Sequence, residues 1–156
     1  MKNTLITIAL SLIAVSAHAA DSRAAAVAIV TKALECNIRD GKATSVLKAL
    51  KALGAKPAKV KYRYILPSPI SVFGFDVTMI NVWANGEGSV DEDGEGYDGD
   101  VYSAIFPKVS ARLVAIATAA RLSDATDGSY YRDTKSGQLR AYVNEGSDVW
   151  LVCTPR

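Results

Sequence analysis

Tyr130-Tyr-Arg-Asp-Thr-Lys-Ser-Gly-Gln-Leu-Arg-Ala-Tyr-Val-Asn-Glu-Gly-Ser-Asp-Val-Trp-Leu-Val-Cys-Thr154 is the stretch that decides the fold class. Three runs of strand-forming residues, Tyr130–Thr134, Gln138–Asn144 and Asp148–Thr154, are separated by Lys135-Ser136-Gly137 and Glu145-Gly146-Ser147. Each separator carries the glycine that a short hairpin needs. Tight hairpins join antiparallel neighbours, so this end reads as a three-stranded meander.

Upstream, the apolar period alternates between helix and strand values. Pro107 opens a helical pattern whose buried side is Val109, Leu113, Ile116 and Ala120. Val101–Phe106 reads as a strand. Val60, Tyr62, Tyr64 and Leu66 alternate with Lys59, Lys61 and Arg63, which predicts a half-buried strand ended by Pro67-Ser68-Pro69. Ile70–Trp83 reads as one further strand bent near Gly74. Two helices are expected before these strands. One spans Asp21–Asn37, with Val27, Val30 and Leu34 on one face. The other spans Thr44–Leu53, with Val46, Leu47, Leu50 and Leu53. The expected architecture is α+β: a mainly antiparallel sheet of five to six strands, with two N-terminal helices and one further helix packed on one face. No internal repeat is legible, and residues 20–156 read as one domain.

Residues 1–19 have the pattern of a cleaved signal peptide. Lys2 precedes an apolar run from Leu5 to Val15, and Ala17-His18-Ala19 places small residues at the cleavage positions. The run is about half the roughly 20 residues that a membrane span needs. The expected compartment is therefore periplasmic or secreted, with no membrane span after cleavage. Cleavage removes His18, the sole histidine, and with it the commonest general base and metal ligand. The formal charge falls from +2 to about +1, so no net basic excess points to nucleic acid or a membrane surface as partner. Cys36 and Cys153 remain, and an even pair in an oxidising compartment reads as a disulfide. A thiol nucleophile is disfavoured because no histidine is left to activate it.

One segment carries a functional signal. Glu87, Asp91, Glu92, Asp93, Glu95, Asp98 and Asp100 hold seven of the sixteen acids, and no lysine or arginine occurs from Thr78 to Ser103. Glycines interleave them. Such a segment reads as a solvated connection, as a contact loop for a basic partner, or as a calcium loop. For calcium, Asp91, Asp93 and Glu95 fall at positions 1, 3 and 5 of an EF-hand-like loop. Gly96 and the Tyr97 carbonyl follow, and Asp98 is a further oxygen donor. The twelfth position is Tyr102 rather than a bidentate glutamate. As a contact surface the segment would act with Trp83 at its mouth and with Tyr97. A counterpart of opposite sign runs through Lys42, Lys48, Lys51, Lys56, Lys59, Lys61 and Arg63. Its helical members space as a solvated face, while Lys59, Lys61 and Arg63 form one stripe that reads as an edge guard or an anion-binding surface.

Serine acyl-transfer motifs fail on inspection. Ser45-Val46-Leu47-Lys48 and Lys135-Ser136-Gly137 lack the element that should lie between them. The expectation is an exported, soluble, non-enzymatic binding protein of the periplasm, with no catalytic residues. It would be an inhibitor or immunity-type protein using its acidic segment against a cationic envelope or cell-wall enzyme. The alternatives are a calcium-binding module and a small carboxylate-dependent hydrolase.

Overall fold

The computed structural model describes residues 20–84, 99–144 and 146–156. The signal-peptide reading of residues 1–19 and most of the acidic segment lie outside the described residues. Helix α1 covers residues 20–34 and α2 Ala43–Ala52; strands β1 (Lys56–Pro57), β2 (Arg63–Val72), β3 (Phe75–Trp83) and β4 (Val101–Phe106) follow. A 3-10 turn at Ser110–Arg112 leads into α3 (Leu113–Ala119). After it come β5 (Ser123–Asp124), β6 (Tyr130–Thr134), β7 (Gly137–Val143) and β8 (Val149–Pro155). All eight strands form one sheet in the order β1-β2-β3-β4-β8-β7-β6-β5, with every neighbouring pair antiparallel.

The α+β class and the antiparallel sheet agree with the sequence; the strand count does not. There are eight strands rather than five to six, because two-residue strands flank the sheet at β1 and β5. Elements that short show no period. The stretch Ile70–Trp83 is not one bent strand but parts of two, which reverse at Phe73 and Gly74, both at positive φ. Nor does Pro67-Ser68-Pro69 end a strand, since β2 runs through it. The ladder between β2 and β3 shifts register between Ile65 and Ile70, and β1 pairs only with Tyr64 and Ile65. The prolines therefore stand where no partner strand calls for a backbone N–H.

The molecule repeats its own topology. From α2 to β4, and again from α3 to β8, the chain makes a helix, a two-residue strand and three longer strands. The two halves meet along β4 and β8. Their helices end with the same hydrogen bonds. The N–H groups of Leu53, Gly54 and Ala55 donate to Ala49, Lys51 and Leu50, and those of Ala120, Arg121 and Leu122 donate to Ile116, Thr118 and Ala117. Gly54 and Arg121 both take the left-handed conformation that such an end requires. Buried Val46, Ala49, Leu50 and Leu53 of the first half find counterparts in Leu113, Ile116, Ala117 and Ala120. Only apolar character is shared at these positions, which is why the sequence hides the repeat.

One face of the sheet carries the core. Tyr102, Ala104 and Phe106 of β4 and Val149, Leu151 and Cys153 of β8 point to this face. Leu139 and Ala141 of β7 join them, and all pack with Val30, Leu34, Val46, Leu50 and Ile116 from the three helices. Each fully buried Val, Leu or Ile stabilises by roughly 1.5–3 kcal/mol. Cys36, just past α1, is bonded to Cys153 of β8 with Cα atoms 5.1 Å apart, and both are fully buried. The disulfide pins α1 onto the centre of the sheet. Among the described residues no helix is long and apolar enough to cross a membrane.

Candidate binding surface at one end of the sheet

The acidic segment is the connection of the β3–β4 hairpin. The last ladder pair before it is Trp83 with Val101. Glu87, Asp91, Glu92, Asp93, Glu95, Tyr97 and Asp98 all lie outside the described residues, and so does the whole calcium set. Among the described residues no three His, Cys, Asp or Glu side chains gather to hold a metal. The two roots of the connection are described, and they behave differently from each other.

Asp100, grouped by sequence with the contact acids, is an interior residue, only 1% exposed. Its carboxylate accepts the Ala43 N–H at 2.8 Å and the Tyr102 hydroxyl at 2.9 Å. The Ala43 N–H belongs to the first turn of α2, one of the donors that a helix cannot satisfy internally. Asp100 therefore caps α2 from far along the chain, and the expectation of a surface contact at this position is corrected. Its own N–H donates to Asp40 Oδ1 at 2.7 Å. At Gly99, with φ +122°, a Cβ would stand 3.0 Å from the same carboxylate, so the approach depends on glycine. Burial above all, then the hydrogen bond to Asp100, pushes the Tyr102 phenol far above its ordinary range, so it stays a donor.

Trp83 marks the other root. It is half-buried on the second face of the sheet, stacked on Trp150 with ring centroids 6.3 Å apart and planes at 29°. Trp150 in turn meets Tyr142 at 6.4 Å. Strand pairing sets Trp83 beside Val101 and Trp150 beside Ile105, with Ser103 between them on β4. Val101, Ser103 and Ile105 are buried but belong to no part of the main core, so this is a second, smaller packing layer. Arg63, Asn81, Ser103, Val152 and Arg140 form one row across it. The Arg63 Nε–H donates to Asn81 Oδ1 at 3.1 Å, and its guanidinium lies 5.7 Å from the Trp150 ring. Arg140 stands likewise over Tyr142 at 5.6 Å. Period-2 alternation in β7 and β8 could have revealed this face, because Arg140, Tyr142, Trp150 and Val152 are the residues the core leaves out.

The turn joining β1 to β2 leaves the same end of the sheet. The Tyr62 carbonyl accepts the Val82 N–H at 3.0 Å, which sets the lysine-bearing turn beside the root of the acidic connection. Expected as part of a strand, Val60 and Tyr62 instead lie in this turn, closed by the Arg63 N–H on the Val60 carbonyl. No family model matches the sequence, and no curated protein or solved structure matches it either.

Proposed function

We propose that this chain is an exported, non-enzymatic binding protein of the periplasm that holds a basic protein partner through its acidic β3–β4 connection. An inhibitor or immunity-type protein acting on a cationic cell-wall enzyme is the specific form of that reading. The observation that carries it is internal to the fold. In the second half β7 and β8 are joined by residues 144–148, whereas their counterparts β3 and β4 are joined by residues 84–100. A hairpin needs nothing so long to reverse direction, and the additional chain is where the acids gather.

Two features support the reading further. The roots at Trp83 and Asp100 are fixed by stacking and by three hydrogen bonds, so the connection is carried on rigid elements. The buried disulfide suits an oxidising compartment. Concentrated negative charge accelerates encounter with a basic partner and fixes its orientation. The test is capture from envelope extract by the native protein and by a variant with Asp91→Asn, Asp93→Asn, Glu95→Gln and Asp98→Asn. A basic protein retained by the native form and lost by the variant is the expected result. Equal capture by both, or capture of nothing, removes the reading.

A further inference from the structure

The repeated topology supplies an internal control for each turn. In the second half, β5 and β6 are joined through Ala125–Ser129, a self-satisfied turn. Asp127 Oδ1 accepts both the Ser129 N–H and the Ser129 hydroxyl, and Gly128 takes the positive φ of +78°. In the first half, β1 and β2 are joined through Ala58–Tyr62. The positive φ of +64° falls on Tyr62, a bulky aromatic residue in a conformation suited to glycine. The tip is Lys59-Val60-Lys61, with Val60 53% exposed and Lys61 over the Tyr62 ring at 4.5 Å. A glycine turn was available to this fold, and the first half does not use it.

The chemistry around that tip is one-sided. From Gly41 to Phe75 the chain contains no acid, while Lys56, Lys59, Lys61 and Arg63 lie on or beside the turn. Lys56 and Lys59 are exposed and take part in neither of the two ion pairs found among the described residues. Ile65, the ladder partner of Lys56, adds a second exposed aliphatic side chain at 45%. The hairpin lies at the outer edge of the sheet: β1 is the edge strand, and β2 pairs directly with β3, one root of the acidic connection.

From this we infer that the β1–β2 hairpin is a docking surface for an anionic phospholipid bilayer. Lysines meet the phosphate headgroups, and Val60 enters the interface between them. Aliphatic side chains among lysines suit a lipid interface, whereas a nucleic acid site would call for arginine and aromatic faces open to bases. With one small apolar tip and a few lysines the association is weak and reversible by salt. It holds the protein near the envelope surface.

Cosedimentation of the purified protein with vesicles tests it, using phosphatidylcholine alone and phosphatidylcholine with phosphatidylglycerol. Binding only to the anionic vesicles, lost at high salt, is expected. Lys56→Gln with Lys59→Gln should weaken it about thirtyfold, at roughly one kilocalorie per lysine near the surface. Val60→Asp should abolish it without changing the melting temperature. Tyr62→Gly should raise the melting temperature while lowering binding, because it removes the strained aromatic side chain from the tip. Equal binding to both vesicles, no binding, or native-like binding by the lysine or Val60 variants overturns the proposal. So does retention of a soluble polyanion, double-stranded DNA, without retention on anionic vesicles.

Discussion

Asp100→Ala separates the two roles that the sequence runs together. The carboxylate is 1% exposed and satisfies two donors, the Ala43 N–H and the Tyr102 hydroxyl. Truncation leaves both buried without an acceptor, at about 1–3 kcal/mol each. It also removes a negative charge from the N-terminal end of α2, at about 0.3–1 kcal/mol. Together these give a loss on the order of 3 kcal/mol, or about 10 °C in melting temperature for a domain of this size. Both donors meet the same oxygen, Oδ2, so Asp100→Asn can keep an acceptor for both and should lose mainly the charge contribution of about 0.3–1 kcal/mol. The assay is urea unfolding followed by circular dichroism, with Asp76→Ala as the exposed control. Tyr102→Phe completes a double-mutant cycle, and the coupling between the two sites should reach about 1 kcal/mol. If Asp100→Ala unfolds within 0.5 kcal/mol of the Asp76 control, the capping argument fails.

Gly137→Ala should destabilise by at least about 2 kcal/mol in the same assay. A Cβ there would stand 2.1 Å from the Thr154 carbonyl oxygen, and both positions are backbone of paired strands. Native-like stability would mean that β7 and β8 approach less closely than described. Replacing Cys36 and Cys153 together by serine opens a link spanning 117 residues and should cost about 4–5 kcal/mol in the chain-entropy model, read as a lower urea midpoint. An unchanged midpoint would refute the staple. The Ser129 hydroxyl, then the Ser129 N–H and the Arg140 guanidinium, hold the Asp127 carboxyl below its usual range. A depressed carboxyl contributes stability above its unfolded value, near 4, and loses it as pH falls through the lower folded value. Ser129→Ala should raise the Asp127 titration midpoint measured by NMR, and an unmoved midpoint would contradict the assigned cause.

Periodicity made the first two helices and the C-terminal meander legible, since Leu50, Leu139, Leu151 and their neighbours keep a period that burial enforces. It opened the third helix at Pro107, however, where the chain turns with Lys108 at positive φ and the α-helix starts only at Leu113. The Cys36–Cys153 pairing followed from compartment and parity. Periodicity misplaced the region around Val60 and Pro67, where Val60 and Tyr62 alternate as a strand would but lie in a turn. The prolines there are tolerated by a register shift that no local pattern records. Charge grouping placed Asp100 with the contact acids because composition cannot distinguish a solvated carboxylate from one that meets a helix N-terminus fifty-seven residues away. Alternation in β7 and β8 marks Tyr142 and Trp150 as residues the core leaves out, but not the cluster they join on the second face. Trp83, Trp150, Tyr142 and Arg63 come from four strands, and only the strand order brings them together.

The central claim is that the acidic β3–β4 connection is a contact element on a rigid scaffold. Its most direct test is the association rate with the captured basic partner, measured across ionic strength for the native protein and for the Asp91, Asp93, Glu95 and Asp98 amide variant. The native rate should fall steeply with salt. The variant should associate about tenfold or more slowly at low salt, with little salt dependence and unchanged thermal stability. Equal rates with equal salt dependence would contradict the claim.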